Sequence, residues 1–110
     1  MEIIQSQKKE IVLLALNGRL DTLSSNSLKD TFEGLVNNSK HQILIDCSNL
    51  QFISSSGLRV LLSVGKQLNS LKGKIALYAL KDHIKEVFDI AGFTMLFAIF
   101  PNEQEALNHF

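Results

Sequence analysis

The stretch that decides the fold is Ile43-Leu-Ile-Asp-Cys-Ser-Asn-Leu-Gln-Phe-Ile-Ser-Ser-Ser-Gly-Leu-Arg-Val-Leu-Leu62. Its apolar start predicts a buried strand from Gln42 to Asp46. A polar connection follows, and the serines Ser54 to Ser56 then begin an amphipathic helix that we predict from about Ser55 to Leu71. Hydroxyl groups at a helix N-terminus, directly after a strand, form a place where a phosphate group can be held or covalently added.

Hydrophobic patterning predicts the elements on either side of this stretch. Two apolar runs before it predict an antiparallel hairpin whose second strand ends at Asn17-Gly18. The elements predicted outside the central stretch are strands at residues 2–6, 11–16, 74–80 and 96–100, and helices at residues 24–37, between the capping residue Asp82 and Gly92, and after the capping box formed by Asn102 and Glu105. This order predicts an α/β fold with a mixed sheet, in which helical crossovers make successive strands parallel.

Length and composition restrict the class of protein. At 110 residues and 45% hydrophobic content, the chain is expected to form one domain, residues 1–110, with an ordinary core. The formal net charge is zero, so no global field attracts nucleic acid. Cys47 is the only cysteine, which excludes an internal disulfide and fits a reducing compartment.

No targeting or membrane signal is expected. The N-terminus lacks the basic and apolar regions of a signal peptide. The apolar run Ile11 to Leu16 is far shorter than the roughly 20 residues that span a bilayer. We therefore expect a cytoplasmic monomer that does not insert into membranes.

Topology predicts which polar residues lie together. Loops that leave the carboxyl ends of parallel strands emerge at the same edge of a sheet, where α/β folds place their sites. The segment from Gly18 to Thr22 and the segment from Ser48 to Gly57 are two such loops. Asp21 and the three serines are therefore expected to share one surface.

Capping alone does not account for the three serines. A serine N-cap stabilises a helix by about 1 kcal/mol, and this role explains one of them. Gly57 in the first helical turn costs roughly 1 kcal/mol relative to alanine. Its presence indicates either that something approaches the backbone closely or that two elements pack tightly there.

The segment from Ile45 to Leu58, Ile-Asp-Cys-Ser-Asn-Leu-Gln-Phe-Ile-Ser-Ser-Ser-Gly-Leu, resembles the signature of STAS domains of the anti-sigma factor antagonist family. Gly18-Arg-Leu-Asp21 is similar to that family's earlier G-x-[LI]-D motif. The resemblance implies the STAS fold, with a mixed sheet of four to five strands and about four helices. It also implies phosphorylation of Ser55 by a GHKL-type anti-sigma serine kinase and dephosphorylation by a PP2C-type phosphatase.

One residue departs from the family pattern. The aspartate that precedes the phosphorylated serine in the family is Ser54 in this chain. Serine replaces aspartate well as an N-cap, but it carries no charge for recognition by a kinase. Ser56 and Ser54 are therefore alternative phosphorylation sites to Ser55. The residues expected to contact a partner are Asp21, Ser54, Ser55, Ser56, Gly57 and Arg59.

The same residues also fit purely structural roles. Asp21 also fits a plain turn or N-cap aspartate, and Cys47 fits a small buried hydrophobe. Val60 and Val64 of the second helix are assigned to a partner surface. They lie off the apolar stripe predicted for this helix, which consists of Leu58, Leu61, Leu62, Gly65 and Leu68. The histidines show no metal-site spacing, so neither a metal nor another cofactor is expected.

The resemblance implies a regulatory function, in which the unphosphorylated chain binds the anti-sigma factor kinase and releases a sigma factor, and phosphorylation switches this binding off. Two alternative functions remain beside it. A STAS scaffold subunit of a sensory or lipid-transport complex would need no phosphorylation. An esterase-like nucleophile elbow has the pattern Gly-x-Ser-x-Gly, but Ile53 stands two residues before Ser55, where that pattern has glycine. The sequence therefore favours a binding protein over an enzyme.

Overall fold

A mixed sheet with helices on both faces forms the molecule, as the computed structural model shows for residues 1–93 and 97–110. The elements in chain order are β1 (Glu2–Lys8), β2 (Ile11–Leu20), α1 (Thr22–Asn37), β3 (Gln42–Asp46), β4 (Leu50–Ile53), α2 (Ser55–Ser70), β5 (Lys74–Tyr78), α3 (Asp82–Ile90), β6 (Ala98–Phe100) and α4 (Glu103–His109). The sheet order is β1-β2-β3-β5-β6, and β4 pairs with β2 beside this path. The α/β fold with a mixed sheet is therefore confirmed.

The predicted strand directions are also confirmed. β1 and β2 form an antiparallel hairpin, and β2 runs parallel to β3. The pairings of β3 with β5 and of β5 with β6 are parallel as well. The carboxyl ends of the parallel strands therefore lie at one edge of the sheet.

Two apolar clusters fill the faces of the sheet. The larger cluster joins α1, α2 and α3 to one face through residues such as Phe32, Leu61 and Phe88. The smaller cluster packs α4 on the other face, where Ala106 meets Leu44. Along the first part of β2, buried side chains alternate with half-buried ones, because successive side chains of a strand point to opposite faces of the sheet.

The predicted end of β2 at Asn17-Gly18 is wrong. The strand continues to Leu20, and the register shifts between Gly18 and Arg19. Gly18 has a φ of +109°, a conformation that favours glycine, so this residue shifts the pairing of the strand without ending it.

The connection predicted between β3 and α2 contains the strand β4. Its end residues Leu50 and Ile53 are buried, whereas Gln51 and Phe52 between them are exposed. This pattern does not alternate, so the period that identifies a half-buried strand is missing. The four residues are held by pairing with the end of β2.

The assignment of Val64 to a partner surface is wrong, whereas that of Val60, which is half-buried, stays a prediction. Val64 is buried in the larger cluster, and Val60 packs against it. The buried side of α2 is centred on Gly57, Leu61, Val64 and Leu68, so the predicted stripe was rotated relative to the true one.

Several predicted helix ends also change. Lys81 is the N-cap of α3, and Asp82 is its first residue, whereas Gly92 follows the C-cap with a φ of +77° as a terminating glycine does. Asn102 caps α4, since the Glu105 N–H donates to Asn102 Oδ1 over 3.0 Å. The Glu105 carboxylate accepts from the Asn102 side-chain amide and not from its backbone N–H, so only the first half of the predicted capping box is observed. The predicted last strand is observed from Ala98, and its predicted first residue, Leu96, lies outside the described residues.

Candidate functional site

The ends of β2 and β4 bring the two predicted loops together. Leu20 and Ile53 are partners in the parallel pairing of these strands. The Ser54 N–H donates to the Leu20 carbonyl oxygen over 2.8 Å. Asp21 and Ser54 are the residues that directly follow this pair, so the chain leaves both strands at the same edge, as the topology predicts.

Ser54 is the N-cap of α2. Its backbone is extended, and its hydroxyl oxygen accepts a hydrogen bond from the Gly57 N–H over 3.1 Å. Its carbonyl oxygen accepts the first helical hydrogen bond, from Leu58. Serine therefore performs the capping role that the family aspartate can also perform.

Ser55 and Ser56 occupy the first turn of α2. Ser55 is exposed, and Ser56 is half-buried. In the described part of the chain, neither hydroxyl has a protein hydrogen-bond partner, whereas the Ser54 hydroxyl is occupied by capping. Ser55 is thus the serine of the three that combines an exposed position with an unengaged hydroxyl.

Gly57 is explained by packing. It is buried against β2 and β4, and a Cβ atom at this position would lie 2.7 Å from Leu20 Cγ and 3.2 Å from Ile53 Cγ1. Of the two explanations for a glycine here, tight packing of two elements is the one observed. The close contact holds the start of α2 against the strand that leads to Asp21.

Asp21 is the N-cap of α1 and forms a capping box with Ser24. The Ser24 N–H donates to Asp21 Oδ1 over 3.0 Å, and the Asp21 N–H donates to Ser24 Oγ over 2.9 Å. The hydrogen bond from the Ser24 backbone, followed by that from its side chain, lowers the pKa of the Asp21 carboxyl. Asp21 therefore carries a negative charge at neutral pH beside the serine-bearing turn.

Arg59 is exposed one helical turn after Ser55. Residues four apart on a helix lie on the same side, so the guanidinium group can reach the region of the Ser55 hydroxyl. Arg59 also lines a groove of about 240 Å³ between α1 and α2, together with Lys29 and Glu33. Its charge is therefore available to a group bound at either place.

Three residues near this edge were not predicted. The Arg19 guanidinium carbon lies 4.2 Å from the centroid of the Phe52 ring, on the strands that lead to Asp21 and Ser54. Leu23, in the first turn of α1, is 81% exposed. Phe52 was missed together with β4. Leu23 lies outside the apolar stripe of α1, which includes Leu28 and Phe32, and this position in the sequence indicates an exposed side chain.

The polar end of β3 fixes the loop that leads to β4. Asp46 Oδ1 accepts hydrogen bonds from the Ser48 N–H over 2.9 Å and from the Ser48 hydroxyl over 2.7 Å. Cys47 is buried, and burial raises the pKa of its thiol, which fits a small hydrophobe. Tyr78 lies beside Asp46, and burial, followed by the charge of Asp46, raises the pKa of its phenol.

Residues 1–93 and 97–110 contain no group of three or more His, Cys, Asp or Glu side chains that could hold a metal ion. Within the same ranges, no helix is long and apolar enough to cross a membrane.

Comparison with known proteins agrees with this geometry. The model of the STAS domain family matches residues 2–106. The chain is 32% identical over 106 residues to BtrV of Bordetella bronchiseptica, described as a candidate anti-sigma factor antagonist, with 96% of this chain and 90% of the relative covered.

Solved structures share the fold. A candidate anti-sigma factor antagonist of Thermotoga maritima is similar with a TM-score of 0.93 and 20% identity, over 97% of this chain and 92% of the other. The phosphorylated form of SpoIIAA, a Bacillus cell fate determinant, is similar with a TM-score of 0.78 and 20% identity, over 98% of both chains. The unphosphorylated form of SpoIIAA, an anti-sigma factor antagonist, gives 0.77 and 18%, over 98% of this chain and 96% of the other. The chain belongs to the STAS domain family of anti-sigma factor antagonists.

Proposed function

We propose that the unphosphorylated chain binds an anti-sigma factor of the GHKL serine-kinase type and so releases a sigma factor. Phosphorylation of Ser55 switches this binding off, and a PP2C-type phosphatase restores it. The contact surface consists of Asp21, the serines Ser54 to Ser56, Gly57 and Arg59. The role is regulatory binding in the cytoplasm, by one domain that acts as a monomer, and not catalysis.

The observation that carries this proposal is the position of Ser55. Ser55 is exposed at the first residue of α2, beside the charged cap Asp21, and its hydroxyl has no hydrogen-bond partner among the described residues. A phosphate group there carries a charge of about −1.5 to −2, which a helix N-terminus favours by roughly 0.3–1 kcal/mol. The fold is therefore expected to tolerate the modification.

A docked partner responds differently to the same phosphate. Covering this surface would desolvate the added charge close to Asp21, at a cost of several kcal/mol. Phosphorylation is thus expected to weaken binding without unfolding the domain. SpoIIAA, which shares this fold, has been solved in both an unphosphorylated and a phosphorylated form.

The replacement of the family aspartate by Ser54 is expected to affect recognition by the kinase and not the fold. Since Ser54 caps α2 through the Gly57 N–H, the cap of the helix does not require the family aspartate. The kinase must then recognise the turn without that charge. We infer a cognate kinase whose contacts rely on Asp21 and Arg59 at this edge.

The test uses the purified protein, ATP and a GHKL-type anti-sigma kinase whose gene neighbours the gene of this protein. Wild-type protein and Ser56→Ala are expected to be labelled, and Ser55→Ala is not. Labelling of Ser55→Ala to the wild-type extent would refute the assignment of Ser55.

Measuring the affinity for the same kinase distinguishes a loss of binding from a loss of the folded structure. Ser55→Asp is expected to bind about a hundredfold more weakly than wild type while its circular dichroism is unchanged. Ser6→Asp is the matched control, because Ser6 is exposed on β1, far along the chain from α2. Equal affinity of Ser55→Asp and wild type would contradict the switch, and an ATP-insensitive complex with a transporter or sensory assembly would favour the scaffold alternative.

A further inference from the structure

A surface with both polar and apolar side chains lies near the C-terminal end of α2, at the opposite end of this helix from Ser55. A cavity of about 400 Å³ opens between the second half of α2, the first residues of β5 and β6, and the end of α4. Leu62, Ile75 and Phe97 form apolar parts of its wall. Its volume falls within the range of roughly 300–1,000 Å³ that is typical of small-molecule sites.

The polar part of the wall is cationic. Lys66 and Lys74 line the cavity together with His109, and no carboxylate is among its lining residues in the described ranges. The whole chain carries 11 basic and 11 acidic residues, so this local excess does not follow from composition. Within residues 1–93 and 97–110 neither lysine forms an ion pair, and Lys74 Nζ donates to the His109 carbonyl oxygen over 3.2 Å.

The apolar wall is held in place by its own packing. Phe97 is 5% exposed, and its ring contacts those of Phe88 and Phe93 at centroid distances of 6.3 Å and 5.9 Å. Gly65 permits this position, because a Cβ atom there would lie 2.8 Å from Phe97 Cε1. These contacts hold the Phe97 ring in its position on the cavity wall.

Helix ends restrict the charge of the ligand. Lys66 lies in the second half of α2, and His109 is the last residue of α4, so both helices direct the negative ends of their dipoles toward this region. Each of these ends carries about −0.5 elementary charge, which offsets part of the charge of the two lysines and leaves about one positive charge for a ligand to neutralise.

We propose that this cavity binds a small organic monocarboxylate. Lys66 and Lys74 hold the carboxylate, and the apolar body of the ligand packs against Leu62, Ile75 and Phe97. This site does not depend on phosphorylation of Ser55, so each can fail without the other.

The test is a titration of the full chain, labelled with ¹⁵N, with octanoate, 1-octanol and acetate. Octanoate is expected to shift the backbone amides of Gly65, Asn69, Gly73 and Ile75 saturably. The alcohol has the apolar body without the charge and acetate the charge without the body, so each should bind about tenfold more weakly. Equal affinity for octanoate and octanol would overturn the anion site.

Variants localise the site. The double substitution Lys66→Gln and Lys74→Gln is expected to weaken octanoate binding about tenfold, and each single substitution by a smaller factor. Lys85→Gln is the control, since Lys85 is an exposed lysine of α3 that does not line the cavity. Unchanged affinity of the double and single variants, or octanoate shifts confined to residues outside the cavity, would refute the proposal.

Discussion

Gly57 and Leu20 are in such close contact that a methyl group on Gly57 would approach Leu20 Cγ to 2.7 Å. Leu20 is fully buried and pairs with Ile53, so its side chain can shift only by displacing other core side chains. This contact sets the distance between the start of α2 and the strand that ends at Asp21.

We expect Gly57→Ala to destabilise the protein. Alanine favours a helix over glycine by about 1 kcal/mol, but overpacking a core typically costs 1–3 kcal/mol, so the free energy of unfolding should fall by about 1 kcal/mol. Urea denaturation measures this change. Gly34→Ala is the control. Apart from its chain neighbours and its own helix backbone, no described residue has an atom within 4 Å of a Cβ atom at Gly34, so its substitution should raise the free energy of unfolding. Similar gains for both variants would show that the contact with Leu20 is not restrictive.

The cap of α2 yields a second prediction. Ser54→Ala removes the acceptor for the Gly57 N–H and should lower the free energy of unfolding by about 1 kcal/mol. Ser54→Asp, which restores the family residue, should keep the wild-type value within about 0.5 kcal/mol. Ser55→Ala removes no protein hydrogen bond in the described residues and serves as the control. A loss in Ser55→Ala as large as that in Ser54→Ala would contradict this assignment of the cap.

Two neighbouring residues at the end of α2, Lys72 and Gly73, should respond to substitution in opposite ways. Lys72 has a φ of +61°, and Gly73 lies so close to the His41 carbonyl that a Cβ atom there would clash with it. Lys72→Gly should therefore raise the free energy of unfolding by about 0.5–1 kcal/mol, since glycine adopts this conformation readily.

Gly73→Ala should have the opposite effect. The His41 carbonyl accepts a hydrogen bond from the Lys74 N–H over 2.8 Å, so it cannot move away without losing that bond. We expect a loss of at least about 2 kcal/mol in urea denaturation. A stability equal to wild type would show that the turn relaxes around the added methyl group.

Acidification tests the cap at Asp21. The folded state holds the pKa of this carboxyl below its ordinary value of 3.8, so its contribution to stability is complete above that pH and is lost as the pH falls through the lowered pKa. The stability advantage of wild type over Asp21→Asn should thus be constant above about pH 5 and shrink below 3.8. Urea denaturation from pH 7 to pH 3 measures it, and an advantage that grew on acidification would contradict the lowered pKa.

The sequence predicts the layers of this fold because its periodic segments are long. The stripe through Leu28 and Phe32 indicates α1, and the run from Gln42 to Asp46 indicates β3, without reference to tertiary contacts. β4 could not be predicted in this way, since its residues are held by pairing with β2 and have no period of their own.

The candidate site was predicted in part for a related reason. Topology alone places Asp21 and Ser54 at one edge, because parallel strands deliver their loops to the same side of a sheet. The reason for Gly57 and the stacking of Arg19 on Phe52 depend on which side chains face each other across β2 and β4. Such contacts appear only when the register of those strands is known.

The division of β2 between two partners has a mechanical meaning. Residues 12–15 of this strand bond to β3, whereas residues 18–20 bond to β4, so one continuous backbone carries both pairings. A twist or tilt of β2 must carry Asp21 and Ser54 along together. A binding partner therefore meets the two groups in a fixed relative position, and a side chain at this edge can change without a change in that position.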